Sequence, residues 1–451
     1  PIINVEIPII KDDMVQKDFG TGALKITPGY DPVDFEIGQK NNLEIINIMN
    51  RRGKMQFNHT RFDSLSQEIK DKLTTIAGVN VRQARELAVA LLEKEGKLIK
   101  KIPYKHSVGT CYRCGSIIEP MVIPQWFVKT RGLADKAIAA VKSGETKIVP
   151  KKRFEKMYFD WLKNLKDWNI SRQIVWGPRI PAWYCLTCNP EIEIGFITKN
   201  GETKFGLYKN LLPEFSFAEI KNGLQFLIAE KATPYQLHDQ TCDKCHGTNL
   251  LQETDTFDTW FLSGQWPANT LGVNVDNPEK SSKDFQYFYP TGVLDTLWDI
   301  LPFWVCRMMM LGLFVAGKVP FNVVHIHARV VDKFGKKMSK SKGNVINPLI
   351  MADKYGADAL RLALVMGVAP ASDICLSEEK IIGMRNFCNK LWNISRFLLI
   401  NMEHKEITYF SGKSKVTDKN DREIIKKLNV LIKKVNKNMD LYNFGKSAEL
   451  L

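Results

Sequence analysis

Apolar and polar positions alternate at the start of the chain: Val5, Ile7 and Ile9 stand between polar or proline positions. Gly20, Gly22 and Pro28-Gly29 then punctuate the run. A period of two with such punctuation predicts short strands and turns over residues 1–50. The period lengthens further on. Ala84, Leu87, Leu91 and Leu92 fall on one face of a helix expected over 80–97. Met121-Val122-Ile123 reads as a strand, and helices follow at 133–142 and 151–166. Residues 170–262 mix strand-like and loop segments. A helix is expected from Ile300 to Val315, then a strand from Val323 to Val331 that runs into a lysine-rich loop. Asn347-Pro348 has the form of an N-cap followed by proline at the first helical position. From 376 onward the pattern is helical: Phe387, Leu391, Ile394 and Leu398 repeat at helical spacing, and Ile424, Leu428 and Leu431 resume it after a polar break at 404–420.

The order strand, loop, helix around the lysine-rich loop suits the C-terminal edge of a parallel sheet, so the fold class is α/β, with a helical bundle after it. Chain length, 451 residues, suggests three or four domains. The chain has no initiator Met and stops at Leu450-Leu451 inside what reads as a helix, so a fragment is expected. Net charge is +15. That leaves open either a solvated basic surface or a polyanionic partner such as RNA or nucleotide phosphate. The most apolar stretch, Met308–Ala316, is far shorter than the ~20 residues of a membrane span and reads as a buried helix.

Six of nine cysteines form CxxC pairs, a spacing that favours zinc over disulfides. Cys185, Cys188, Cys242 and Cys245 supply four thiolates for one tetrahedral structural Zn2+. Cys111 and Cys114 form a third pair that stands alone, with His106 as a weak substitute ligand. Cys306, Cys375 and Cys388 are expected in the core.

The most informative segment is Lys337-Met338-Ser339-Lys340-Ser341-Lys342-Gly343-Asn344, between a strand and a helix. It matches the KMSKS signature of class I aminoacyl-tRNA synthetases, and the chain resembles that family along its whole length. The resemblance implies the second half of a Rossmann-type catalytic domain that uses ATP with Mg2+. Residues 337–341 would hold the ATP, and Lys337 and Lys340 would meet the charge on departing pyrophosphate. The family's His-Ile-Gly-His motif is absent, so this chain alone is not expected to activate amino acids; His325-Ile326-His327 reads as packing near the nucleotide.

Within the family the resemblance is to the valine-type branch. It rests on Phe19-Gly20-Thr21-Gly22-Ala23-Leu24-Lys25-Ile26-Thr27-Pro28 with Asp31-Pro32-Val33-Asp34, on Ile170-Ser171-Arg172-Gln173 with Trp176-Gly177-Pro178-Arg179-Ile180-Pro181, and on Asp258-Thr259-Trp260 with Asp299-Ile300-Leu301-Pro302-Phe303-Trp304. It departs from the usual pattern at Tyr30 and Pro178, where histidine is expected, and at Ala328, where glycine is. The branch implies an amino-acid pocket of Trp176, Trp260 and Asp299, an editing pocket of Phe19, Lys25, Thr27, Asp31 and Asp34, and valine, ATP and tRNA(Val) as partners of a cytoplasmic monomer. It also implies four parts: 1–105 from a β-rich editing domain, 106–290 a catalytic connection with zinc knuckles, 291–375 the second catalytic half, and 376–451 the start of a helical anticodon-binding domain. An isoleucyl or leucyl enzyme, or a non-catalytic zinc-containing RNA-binding module, is the competing reading.

Overall fold

The computed structural model describes residues 2–3, 6–18, 20–57, 59–111, 114–327, 329–338, 343–402 and 416–451. They form two units, Pro1–Pro124 and Gln125–Leu451.

The first unit is helical where strands were expected. Its helices are Pro32–Lys40, Thr60–Asp63, Gln67–Ile76 and Val81–Lys94, and its described residues otherwise pair only in isolated bridges such as Met49 with Met55. Period-two patterning failed here because a strand needs a neighbour: Ile7 and Ile9 are exposed, 69% and 100%, and lie in no strand. Met121–Ile123 is likewise outside any strand. The helix predicted at 80–97 is present as Val81–Lys94, opened by a capping box between Asn80 and Gln83. Cys111 and Cys114 lie in this unit.

The second unit is built on a three-stranded parallel sheet in the order Thr291–Leu297, Phe321–His327, Lys147–Val149. Alternation sorts its two faces. Leu294, Thr296, Val324 and Ile326 point into the core, with Phe154, Tyr158, Leu162, Met308, Met309 and Met310 among its buried side chains. Val293, Asp295, His325 and His327 lie on the other face. Helix Cys306–Ala316 makes the crossover between the first two strands, and Arg131–Ser143 and Lys151–Lys163 pack against the same core. The run Trp298–Ala316 is long and apolar enough to cross a membrane by length and composition, but half of it is buried inside this unit as a core helix. It is not one uniform helix: a tight turn at Trp298–Ile300 and a wide π-type turn at Leu301–Val305 precede Cys306–Ala316. Pro302 stands in the first turn of the Leu301–Val305 segment, where a missing amide donor is tolerated.

The strand expected at 323–331 is described as Phe321–His327 and Val330–Val331, the second pairing with Ile374–Cys375. Cys375 is therefore exposed on a short strand, not a core residue, while Cys306 is buried and Cys388 half-buried. Asn347 caps helix Pro348–Tyr355 by accepting from the Leu349 amide, as its sequence predicts. Helices Glu378–Met402 and Lys419–Asp440 fall where the apolar spacing placed them. Phe444–Leu450 docks where Gly445 lets the backbone approach: a Cβ there would lie 2.2 Å from the Val368 carbonyl oxygen.

Candidate functional site

The lysine loop leaves the end of Val330–Val331. Asp332 organises its stem. The Asp332 Oδ1 accepts from the amides of Phe334 and Lys336, both at 2.9 Å, and Oδ2 accepts from Asn344 Nδ2 at 2.8 Å. Gly335 adopts φ 74°, which completes the tight turn. Donation from Asn344 and from the Lys336 amide holds the Asp332 carboxyl below its ordinary range. Lys337 is exposed and Met338 packs into the apolar cluster around Leu360 and Ala363. Ser339, Lys340 and Ser341 lie outside the described residues. Asp332 was not singled out from the sequence; an Asx turn just before the lysine run was the available signal.

Asp299 is exposed on the turn that follows Leu297. Trp260 packs with Trp168, Ile170 and Leu311 and stacks on Phe303 at 6.1 Å between ring centroids. Trp176 is 90% exposed, so it does not form an apolar wall in this structure. Gly177 beside it takes φ 133° close against Thr256, a conformation that favours glycine. What fixes Trp260 is Asp258, a residue sequence reasoning quoted but gave no role. Asp258 is 4% exposed. It caps helix Thr259–Gly264, accepts from Trp168 Nε1 at 2.9 Å and pairs with Arg172 Nη2 at 3.1 Å. The Arg307 guanidinium lies 4.2 Å above the Trp168 ring. The Ser-Arg of the Ile-Ser-Arg-Gln block and the Asp-Thr-Trp block are thus one paired unit, since strands Ser171–Arg172 and Thr256–Phe257 are antiparallel neighbours.

His325 and His327 share a sheet face with Asp295. His325 Nδ1 lies 2.5 Å and His327 Nε2 3.7 Å from its carboxylate oxygens. His325 also stacks on Tyr442. These groups line a cavity of about 320 Å3, with Val365, Pro370 and Phe444 on its apolar side.

The zinc-type cysteines do meet. Strands Trp183–Cys185 and Leu250–Gln252 pair antiparallel, with Cys185 opposite Leu250, and so bring the two knuckles together. The insert between them folds as a three-stranded antiparallel sheet with Glu193–Ile197 in the middle, flanked by Thr203–Leu207 and Leu224–Ile228, around Ile194, Phe196, Ile220 and Leu227. The four sulfurs lie within 4.8 Å of one another, with Cys185–Cys245 at 3.5 Å and Cys188–Cys242 at 3.8 Å. Zinc–thiolate bonds of ~2.3 Å in a tetrahedron set sulfurs about 3.8 Å apart, so the donor set fits Zn2+. Backbone amides of Cys245 and Lys244 pull the Cys242 thiol down to about 6, while the neighbouring Cys245 pushes Cys188 up to about 12. Four thiolates this close repel without a cation between them. Glu253 locks the knuckles to the rest of the unit, accepting from Tyr184 OH at 3.2 Å and Trp126 Nε1 at 3.1 Å. Cys111 and Cys114 form a knuckle-like turn, with Gly115 at φ 72°, but no third ligand joins them among the described residues. His106 is exposed and stacks on Tyr104.

Lys25, Thr27, Asp31 and Asp34 converge in the first unit; Phe19 lies outside the described residues. Lys25 Nζ donates to Thr27 Oγ1 at 2.5 Å, and the Thr27 amide donates to Asp34 Oδ2 at 2.7 Å. Asp31 Oδ1 caps helix Pro32–Lys40 through the Val33 and Asp34 amides. That helix sits tightly on the Pro28 turn because Gly38 lacks a side chain. Tyr30 uses its hydroxyl to accept from the Ile48 amide, a structural role where histidine was expected.

Comparison with known proteins gives the family of the chain. The family model for tRNA synthetases class I (I, L, M and V) matches residues 26–377, and the chain belongs to that family. Among named relatives, the valine--tRNA ligase of Clostridium acetobutylicum is 40% identical over 449 residues, 100% of this chain and 44% of the relative. That of Clostridium tetani is 42% identical over 449 residues, again 100% and 44%. The chain thus spans 44% of the length of these relatives. A methionyl-tRNA synthetase from Mycobacterium tuberculosis bound by methionyl-adenylate overlaps it loosely, at TM-score 0.47 and 16% identity over 76% of this chain and 53% of its own.

Proposed function

We propose that the protein carrying this chain is a valine--tRNA ligase: it activates valine with ATP, transfers it to tRNA(Val), and hydrolyses mischarged threonyl-tRNA(Val). The observation that carries this reading is identity of 40% to valine--tRNA ligases along the whole chain, with the lysine loop of the family intact.

In the activation step the valine carboxylate attacks the α-phosphate of ATP and pyrophosphate leaves. Charge builds on the leaving oxygens. Lys337 and Lys340 supply ammonium groups to meet it, and Mg2+ shares that task when bound. Met338 anchors the loop, and Ser339 and Ser341 complete the ATP-binding segment. Trp260, held by Asp258, forms one wall of the amino-acid pocket; Trp176 and Asp299 complete it once substrate is bound. The zinc site has a structural task, fixing the strands that lead to Asp258.

An apolar pocket sized for valine rejects isosteric threonine only about a hundredfold, and this pair is the standard illustration of that limit. A second site must therefore remove threonine after transfer. Phe19, Lys25, Thr27, Asp31 and Asp34 form it. The carboxylates attract the cationic α-amino group, and water attacks the ester. Cys111 and Cys114 are half of a second zinc site. The enzyme works as a cytoplasmic monomer, and its four parts divide near residues 105, 290 and 375, from editing domain to helical anticodon-binding domain.

Amino-acid-dependent ATP–pyrophosphate exchange by the native-length protein tests the substrate. Valine should support exchange at least about a hundredfold better than threonine at equal concentration. Preference for isoleucine or leucine would refute the valine assignment, and no exchange with any amino acid would leave the RNA-binding reading.

A further inference from the structure

Lys337 is an exposed cation at the base of the lysine loop, and the backbone beneath it sets where its long side chain starts. Five contacts of backbone and side chain converge there. Val331 and Lys337 form an antiparallel bridge. The Asp332 amide donates to the Lys336 carbonyl at 3.0 Å. The Lys336 amide donates back to Asp332 Oδ1 at 2.9 Å. Asn344, seven residues further on, donates through one Nδ2 to the Lys337 carbonyl at 3.3 Å and to Asp332 Oδ2 at 2.8 Å.

We propose that Asp332 and Asn344 form a clasp that positions Lys337 for the phosphate chemistry, so that both act as positioning residues for adenylate formation. The inference rests on the activity proposed above. Its logic is geometric. Asp332 is acceptor-only when ionised and has donors on both oxygens: two backbone amides on Oδ1, the carboxamide of Asn344 on Oδ2. The carboxylate thus ties the strand end, the Gly335 turn and the segment after the lysine run to one point. Charge-assisted bonds of this kind are the stronger class. Ordering Lys337 beforehand removes a cost that would otherwise fall on the transition state.

The exchange of partners is diagnostic. Asp332→Asn keeps an acceptor for the amides but sets two carboxamide donors against each other at the Asn344 contact. Asn344→Asp sets two carboxylates against each other. The double substitution rebuilds one donor–acceptor pair with its polarity reversed. In the native-length protein each single substitution should lower kcat for valine-dependent pyrophosphate exchange roughly tenfold or more, with KM for valine unchanged. The double substitution should recover part of the loss, although it leaves the Lys337 carbonyl facing an acceptor. Thermal unfolding run alongside should show all three variants folded. If Lys337→Ala slows exchange and Asp332→Asn does not, the clasp is wrong while the lysine's role stands. If neither slows it, both proposals fall. A double variant slower than either single would also overturn the clasp.

Discussion

Asp258 is a single carboxylate on which several groups depend. It is buried, it caps a helix, and it takes the Trp168 indole and the Arg172 guanidinium. Removing one partner of such a network leaves the others unsatisfied. Asp258→Ala should destabilise the second unit by about 2–4 kcal/mol, read as a lower urea midpoint. An unchanged midpoint would contradict the role given to it. Glycine matters by what it leaves out. At Gly223 an added Cβ would lie 2.0 Å from the Ile197 carbonyl oxygen, a backbone atom that cannot swing aside. Gly223→Ala should cost about 1–3 kcal/mol by the same measurement. Such contacts were not legible in the sequence, because they depend on which segments meet. The lysine loop, the cysteine spacing and the Asn347-Pro348 cap were legible, because each is set by residues close together in the chain.

At the scale of elements, the two cysteine knuckles depend on pairing between Trp183–Cys185 and Leu250–Gln252. The protein should bind about one zinc per chain at these four thiols. Metal analysis after Cys242→Ser should find that zinc lost, and chelation of the unaltered protein should lower its melting temperature. A metal content of zero in protein prepared with zinc would refute the site. In the first unit, helix Gln67–Ile76 is tied to the end of helix Val81–Lys94 by Lys72, which pairs with Glu95 at 2.8 Å. Lys72 and Lys97 hold the Glu95 carboxyl down at about 2. A depressed carboxylate stabilises the folded state above its unfolded pKa and loses that contribution as pH falls through the folded value. The tie should therefore persist from neutral pH and weaken from about pH 4 toward pH 2, below the range for an unpaired glutamate. A carboxyl titration by NMR with its midpoint at the ordinary glutamate value would contradict the pairing. Helices were read well at this scale, as the agreement at 81–94 and 131–143 shows, since their apolar stripe is a local property. Strands in residues 1–50 were not, because alternation says only that a segment could pair and nothing about whether a partner lies beside it.

For the molecule as a whole, the parallel sheet is the frame for the proposed chemistry. Its core face holds the apolar helices, and the strand after it delivers the lysine loop at its C-terminal end. The α/β class and the helical segment after 376 followed from the order of elements along the chain. The division at Pro124 did not, because where a unit ends depends on which segments pack together rather than on composition. The two tryptophans proposed for the amino-acid pocket differ in setting: Trp260 is packed while Trp176 stands exposed. Ammonium groups at 337 and 340 are the central claim, and pre-steady-state formation of valyl-adenylate by the native-length protein tests it most directly. The account predicts that Lys340→Ala slows that step on the order of a hundredfold or more and leaves valine affinity unchanged. An adenylate formed at the unaltered rate would contradict it.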